Sequence, residues 1–105
     1  MNKDVTMDSR NYSTGSTDSL ERLNPLLEKL DANMSYGNWL KVLMAIYYAT
    51  NGSEDGFELA NEWSSTGLLK YKGTKDVRKT WRYIQPNHPR PITIGTLYQM
   101  VKGNY

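Results

Sequence analysis

Basic residues alternate with aromatic residues in one stretch of this chain, between Lys70 and Tyr83. The bases and rings there are Lys70, Tyr71, Lys72, Lys75, Arg78, Lys79, Trp81, Arg82 and Tyr83. Basic side chains neutralise phosphates, and aromatic faces stack on unpaired bases, so this combination is typical of a groove that binds single-stranded nucleic acid. We therefore predict nucleic-acid contacts by Lys70, Tyr71, Lys72, Lys75, Arg78, Lys79 and Arg82.

The charge distribution along the chain supports this prediction. The chain has 105 residues and a formal net charge of +2. Residues 1 to 69 contain five basic and ten acidic residues, whereas residues 70 to 105 contain eight basic residues and one acid, Asp76. Such asymmetry favours a polyanionic partner for the C-terminal third. The alternative is that the two oppositely charged parts attract each other within the fold.

The sequence offers little for catalysis. Cysteine is absent, and His88 is the only histidine, so a thiolate nucleophile and a histidine-based triad are both excluded. No glycine-rich phosphate loop is present. Glu54, Glu58 and Glu62 recur every four residues and suggest a cation site, but acids near a helix start are more often dipole partners and solvated surface. We predict no metal, no cofactor and no catalytic residue, and therefore a binding module rather than an enzyme.

The apolar spacing places these residues in an all-α fold, a small bundle of five short helices. Residues 1 to 18 are rich in Ser, Thr, Asn and Asp, and we predict that they form a disordered polar tail. Residues 19 to 105 form the predicted helical domain. Its first helix is expected to begin at Asn24-Pro25, an N-cap followed by proline at the first helical position, and to end between Asp31 and Met34.

Capping residues and periodic apolar residues define the other four helices. The second is expected to be capped by Ser35 and stopped by Asn51-Gly52, and the third to be capped by Ser53. Trp39, Val42, Leu43, Ile46 and Tyr47 follow the helical period in the second helix. The fourth is expected to be capped by Thr74, with Val77, Trp81 and Ile84 on its inner face. This makes Trp81 a core residue. The roles of Tyr71 and Tyr83 stay open. Prolines predict a stiff loop over residues 85 to 91, and the fifth helix is expected near Thr93.

An ordered series of short motifs resembles the primase C-terminal domain of the second type. The motifs are Tyr36-x-x-Trp39-Leu40-x-Val42 with Met44-Ala45, Asn51-Gly52-Ser53, Gly56-Phe57-x-Leu59, Glu62-Trp63-Ser64, Lys70-Tyr71 at the usual distance before Trp81, and Ile92-Thr93-Ile94-Gly95-Thr96-Leu97. The similarity extends over about residues 23 to 102. Each motif is weak alone, but their order and spacing are specific.

The resemblance implies a helical domain that follows the catalytic region of primase–polymerase and primase–helicase proteins in phages, plasmids and mobile elements. It implies template or nucleotide binding and support of initiation there. Trp39, Trp63 and Trp81 are expected to be core anchors. Ser64, which ends one of the motifs, joins the predicted nucleic-acid contacts on chemical grounds. The family domain normally lies downstream of a catalytic domain, whereas this sequence begins with Met1. We therefore expect the chain to be either a part excised from a larger primase or a small protein that acts in trans.

Three functional hypotheses use the same basic surface. The first is a DNA-replication accessory module that binds single-stranded DNA template and supports primer synthesis by a primase–polymerase. The second is an adaptor that docks on a polymerase or replicative helicase, and the third is an inhibitor encoded by a phage or mobile element. We expect a cytoplasmic location, since no signal peptide is evident and the longest apolar run, Val42 to Ala49, is too short for a membrane span. The sequence does not predict an oligomeric state.

Overall fold

Five helices form the part of the chain that the computed structural model describes, which is the backbone of residues 15 to 103 and the side chains of residues 19 to 103. The helices are α1 (Gly15–Glu28), α2 (Tyr36–Ala49), α3 (Glu54–Ser65), α4 (Thr74–Tyr83) and α5 (Ile94–Val101). The predicted all-α bundle is therefore confirmed. The tail predicted for residues 1 to 18 lies outside the described residues, apart from its last four positions, whose backbone belongs to α1.

Helix α1 begins at Gly15, well before the predicted start at Asn24, and Pro25 lies inside it. The predicted start is therefore wrong. A proline inside a helix removes a backbone hydrogen bond and costs about 3 kcal/mol. Burial of apolar side chains offsets this cost, because each fully buried leucine contributes roughly 1.5–3 kcal/mol. The buried leucines of α1 and the turn after it are Leu23, Leu26, Leu27 and Leu30.

Helix α2 lies at the centre of the bundle and packs against each of the other four helices. The fully buried residues on its inner face are Val42, Leu43, Ala45 and Ile46. The hydroxyl of Ser35 accepts a hydrogen bond from the backbone N–H of Asn38, which confirms the predicted N-cap. The helix ends where Asn51 and Gly52 adopt positive φ of 55° and 66°. A Cβ on Gly52 would lie 2.7 Å from the Tyr47 ring, so this position needs glycine for its shape as well as for its φ.

The caps of α3 and α4 differ in how well they were predicted. Ser53 caps α3 as expected, because its hydroxyl accepts a hydrogen bond from the N–H of Gly56 at 3.1 Å. Thr74 was predicted to cap α4, but the N-cap position is Gly73, with φ of 106°, and Thr74 is the first helical residue. The Thr74 hydroxyl is used in a tertiary contact instead, because it accepts a hydrogen bond from the Asn61 amide at 3.2 Å.

The proline-containing loop and α5 complete the bundle. The loop is tied to α2 at its start, where the hydroxyl of Tyr48 donates a hydrogen bond to the carbonyl of Gln85 at 2.6 Å. Helix α5 begins after Thr93, as predicted, and packs against α1 and α2 through the buried Leu97 and Met100. None of the five helices in the described part of the chain is both long and apolar enough to cross a lipid bilayer.

Two of the three tryptophans are core residues as predicted. Trp63 and Trp81 are buried, and the indole N–H of Trp63 donates a hydrogen bond to the carbonyl of Leu30 at 3.1 Å. Trp39 departs from the prediction, since it packs against the core but is only half-buried. Its remaining surface lines a cleft, and that cleft contains most of the predicted contacts.

Candidate nucleic-acid interface

A tight turn between α3 and α4 presents the first of the predicted contacts. The carbonyl of Gly67 accepts hydrogen bonds from the backbone N–H groups of Lys70 and Tyr71, at 3.0 and 2.9 Å. Gly67 is itself pressed against the α1–α2 connection, because a Cβ at this position would lie 2.7 Å from the carbonyl carbon of Ala32. The side-chain oxygen of Asn33 accepts a further hydrogen bond from the N–H of Leu69 at 3.0 Å. The turn is therefore anchored to the α1–α2 connection at two points.

The ring of Tyr71 is held by a small polar network. Its hydroxyl donates a hydrogen bond to the side-chain oxygen of Asn61 at 2.9 Å, and it lies 3.2 Å from the hydroxyl of Thr74. The Asn61 amide closes the triangle on Thr74. Tyr71 is half-buried and packs against the core, so one part of its ring is structural while another part faces the cleft. The network holds the Tyr71 side chain in place, and Lys70 and Lys72 are its neighbours in the chain.

A cleft of about 340 Å³ lies between the α1–α2 connection, the start of α2, the α3–α4 turn and one side of α4. It brings together five of the eight predicted contacts. Those five residues are Ser64, Lys70, Tyr71, Lys72 and Lys79. The three lysines form no ion pair within the described residues, and Asp76 is the only acid among the residues that line the cleft. The cleft therefore combines a net positive charge with an aromatic lining.

Two aromatic residues of this cleft, Tyr36 and Trp39, are not among the predicted contacts, and Tyr83 is a third, whose role the sequence leaves open. Tyr36 lies at the first position of α2 and is 65% exposed, and Tyr83 at the end of α4 is 76% exposed. The ring of Tyr36 lies 5.6 Å from that of Trp39, measured between centroids, with a tilt of 38°. Positions three apart in a helix lie on one face, so the spacing of Tyr36 and Trp39 carried the signal. No spacing rule in the sequence indicates that Tyr83 lines the same cleft as Tyr36 and Trp39.

The buried hydroxyl of Ser64 is committed to the protein. Ser64 is only 3% exposed, and its oxygen accepts a hydrogen bond from the indole N–H of Trp39 at 2.9 Å. Ser64 therefore contributes to the cleft by orienting the Trp39 ring. A direct contact between Ser64 and a phosphate remains a prediction.

The other predicted contacts lie on the outer face of α4. Lys75, Arg78, Lys79 and Arg82 line a shallow groove there together with Thr74 and Tyr83. Lys79 and Tyr83 border both this groove and the cleft. The predicted basic surface is therefore divided into two neighbouring parts, which meet at Lys79 and Tyr83 on α4.

Arg78 differs from the other cations because it links α4 to α3. Its guanidinium forms a two-pronged ion pair with the carboxylate of Glu54 and lies 3.5 Å from the ring centroid of Phe57. The hydrogen bonds from Arg78 lower the pKa of Glu54 below its ordinary value, and the same bonds raise the pKa of Arg78. A phosphate at Arg78 would have to compete with this carboxylate, whereas the three lysines of the cleft have no ion-pair partner within the described residues.

The residues considered for catalysis or metal binding are dispersed. His88 is exposed in the proline-containing loop, where its Nδ1 accepts a hydrogen bond from the N–H of Arg90 at 2.9 Å. Glu54 is paired with Arg78, as described above. Within the described residues, no group of three or more His, Cys, Asp or Glu side chains is arranged to hold a metal ion.

Comparison with known proteins supplies the family. Neither the curated proteins nor the solved structures contain a match to this chain. A family model described as Primase C terminal 2 (PriCT-2) matches residues 23–101, which is more than half of the chain and includes all five residues of the cleft named above. The match begins within α1 and ends with α5. The chain therefore belongs to the Primase C terminal 2 family.

Proposed function

We propose that this domain holds single-stranded DNA template for a primase–polymerase, as an accessory module that contributes binding and no catalytic residue. Its family associates the chain with primases and replication proteins. The single observation that carries the finer proposal is the cleft itself, in which Lys70, Lys72 and Lys79 surround exposed faces of Tyr36 and Tyr83.

The composition of the cleft favours an unpaired strand over a duplex. In a duplex the faces of most bases are covered by their neighbours, so aromatic side chains stack on bases mainly where the strand is single. Ammonium groups neutralise phosphates without regard to sequence, which suits a template of arbitrary sequence. Asp76 reduces the positive charge of the cleft but leaves an excess of two lysines over acids.

The outer face of α4 extends the same surface. Lys75 and Arg82 are exposed there, and Lys79 connects them to the cleft. We propose that the phosphates of a strand leaving the cleft follow this face. The strand would then contact both parts of the basic surface.

Fluorescence anisotropy with a labelled single-stranded oligonucleotide at several salt concentrations tests the proposal. We expect binding that weakens as salt rises. The double variant Lys70→Ala/Lys79→Ala removes two cations that have no ion-pair partner within the described residues, so it should leave the fold intact. In a plot of log affinity against log salt concentration, the slope for this variant should be smaller in magnitude by about 1.4, because each phosphate contact on a single strand contributes about 0.7 to the slope.

A matched control keeps the change in net charge the same. Lys29 and Lys41 are exposed and lie outside both the cleft and the α4 groove, so Lys29→Ala/Lys41→Ala should bind as the wild type does. Equal losses in the two double variants would contradict the proposed surface. If the wild-type protein fails to bind single-stranded DNA at low salt, the template-holding function is wrong, and the adaptor hypothesis takes its place.

A further inference from the structure

Two consecutive leucines are left in solvent on the turn between α3 and α4. Leu68 and Leu69 are 86% and 87% exposed, whereas every other leucine from residue 19 to residue 103 is buried or half-buried. Large apolar side chains that remain exposed side by side often mark a contact surface. The template-binding proposal makes no use of them.

The leucine pair protrudes because the backbone beneath it is fixed. The N–H of Leu68 donates to the carbonyl of Thr66 at 3.1 Å, and the N–H of Leu69 donates to the side-chain oxygen of Asn33 at 3.0 Å. Gly67, immediately before the pair, lies against the backbone of Ala32. The two side chains are therefore presented on an anchored turn.

The pair lies at the rim of the cleft. Asn33, which binds the N–H of Leu69, lies between Ala32 and Met34, and both of these residues line the cleft. On the other side, Leu69 is followed directly by Lys70, which also lines it. A strand that left the cleft beside Lys70 would come close to the two leucines, which precede Lys70 in the chain.

We propose that Leu68 and Leu69 pack against the terminal base pair of a duplex, so that the domain binds at the junction between duplex and single-stranded DNA. This inference rests on the proposed function, because the cleft must hold the single strand. Aliphatic side chains contact base faces in many DNA complexes, where they act as wedges between base steps. The last base pair of a duplex exposes such a face, so contact with it does not require the unstacking of two adjacent base pairs.

The charge beside the pair favours DNA over a protein as the occupant. Lys70 and Lys72 follow the leucines, and their ammonium groups are unpaired within the described residues. Phosphates of both strands at a junction would lie next to these groups. The carboxylate of Asp31 accepts a hydrogen bond from the N–H of Asn33, so we expect no phosphate beside Asp31.

Anisotropy measurements with four oligonucleotides test the inference. They are one single strand, the same strand with part of its length paired to leave a 5′ overhang, the equivalent with a 3′ overhang, and a blunt duplex. We expect the wild-type protein to bind one junction about tenfold more tightly than the single strand, the factor given by about 1.4 kcal/mol of additional contact. The variant Leu68→Ser/Leu69→Ser should lose this preference and keep its affinity for the single strand.

A spectroscopic measurement tests the contact directly. The fluorescence of 2-aminopurine placed in the terminal base pair should change when the wild-type protein binds, and the change should be absent with Leu68→Ser/Leu69→Ser. Tyr98→Ser is the matched control, because Tyr98 is 47% exposed on α5, which does not contribute to the cleft. Circular dichroism and urea unfolding establish that both variants are folded.

The possible failures have different meanings. Binding of single strand and junctions with equal affinity by the wild type would overturn the inference and leave the proposed function standing. Persistence of the junction preference in the leucine variant would also overturn it, because other residues would then make the junction contact. Absence of any binding to single-stranded DNA would overturn the proposed function and this inference together.

Discussion

The indole N–H of Trp39 donates a hydrogen bond to the buried hydroxyl of Ser64 at 2.9 Å, and this contact joins α2 to α3 at the cleft. It fixes the Trp39 ring, which in turn lies beside the ring of Tyr36. The aromatic lining of the cleft is therefore oriented by a side chain that the solvent hardly reaches.

Replacement of Ser64 tests this relationship. We expect Ser64→Ala to lower the free energy of unfolding by about 1–2 kcal/mol, because a partly buried indole N–H loses its acceptor. The measurement is urea denaturation followed by circular dichroism. Ser65→Ala is the control, since the Ser65 hydroxyl is bonded only to the carbonyl of Glu62 at an exposed site, and its effect should stay within about 0.5 kcal/mol. Equal effects of the two variants would contradict a special role for the Trp39–Ser64 contact.

Tyr36 and Tyr83 should contribute to binding by stacking. Base–aromatic stacking is worth about 1–3 kcal/mol for each base, so Tyr36→Ala and Tyr83→Ala should each weaken single-strand binding by roughly fivefold or more. The expected loss is insensitive to salt, unlike that of the lysine variants. Tyr36→Phe and Tyr83→Phe keep the ring and should bind almost as the wild type does. If the phenylalanine variants lose as much as the alanine variants, the hydroxyls and not the ring faces make the contact.

The Glu54–Arg78 ion pair makes stability depend on pH in the acid range. The pKa of Glu54 is lower in the folded protein than its ordinary value of 4.5, because Arg78 donates hydrogen bonds to the carboxylate. The unfolded chain therefore binds more protons as the pH falls, so the stabilisation is present above about pH 4.5 and is lost as the pH falls through the lower, folded-state pKa.

Urea unfolding of the wild type and of Glu54→Gln between pH 2 and pH 7 measures this effect. The difference in unfolding free energy between the two proteins should be largest near neutral pH and should shrink on acidification. Asp55→Gln serves as the control, since Asp55 is exposed near the start of the same helix. A difference that does not vary with pH would show that the pair contributes nothing through the charge of Glu54.

Gly67 should be the least replaceable residue of the α3–α4 turn. An alanine Cβ there would lie 2.7 Å from the carbonyl carbon of Ala32, so the backbone would have to move. We expect Gly67→Ala to destabilise the fold by roughly 1–3 kcal/mol and to weaken single-strand binding, because Lys70 is displaced. Gly95→Ala is the control, since its Cβ would meet only the Thr93 hydroxyl, at 3.3 Å. Thermal unfolding followed by circular dichroism distinguishes the two.

Local signals predicted much of the fold. The serine caps at Ser35 and Ser53 and the stop at Asn51-Gly52 depend on residues within one or two turns, and the structure confirms all three. The predicted start of α1 was wrong. Asn24-Pro25 is a genuine local signal for a helix start, but the tertiary burial of Leu23 outweighs it. The cap at Thr74 failed for a similar reason, since a partner on α3 uses its hydroxyl.

The site was predicted less completely, because its geometry depends on contacts between distant parts of the chain. The basic stretch after Lys70 could be read directly from the sequence. The pairing of Arg78 with Glu54 and the presence of Tyr83 and Tyr36 in one cleft follow from how α4 lies against α3 and α2. No spacing rule within a single helix contains that information.

The central position of α2 has a consequence for how the domain tolerates change. Because α2 packs against all four other helices, we expect its amide protons to exchange with solvent only when the whole domain opens, as one cooperative unit. The exposed cleft residues on the α3–α4 turn and α4 lie at the periphery of that unit. If the proposed function is right, substitutions at Leu68, Lys70 or Tyr83 would alter which strand or junction the domain prefers, while the helix that maintains the fold stays the same.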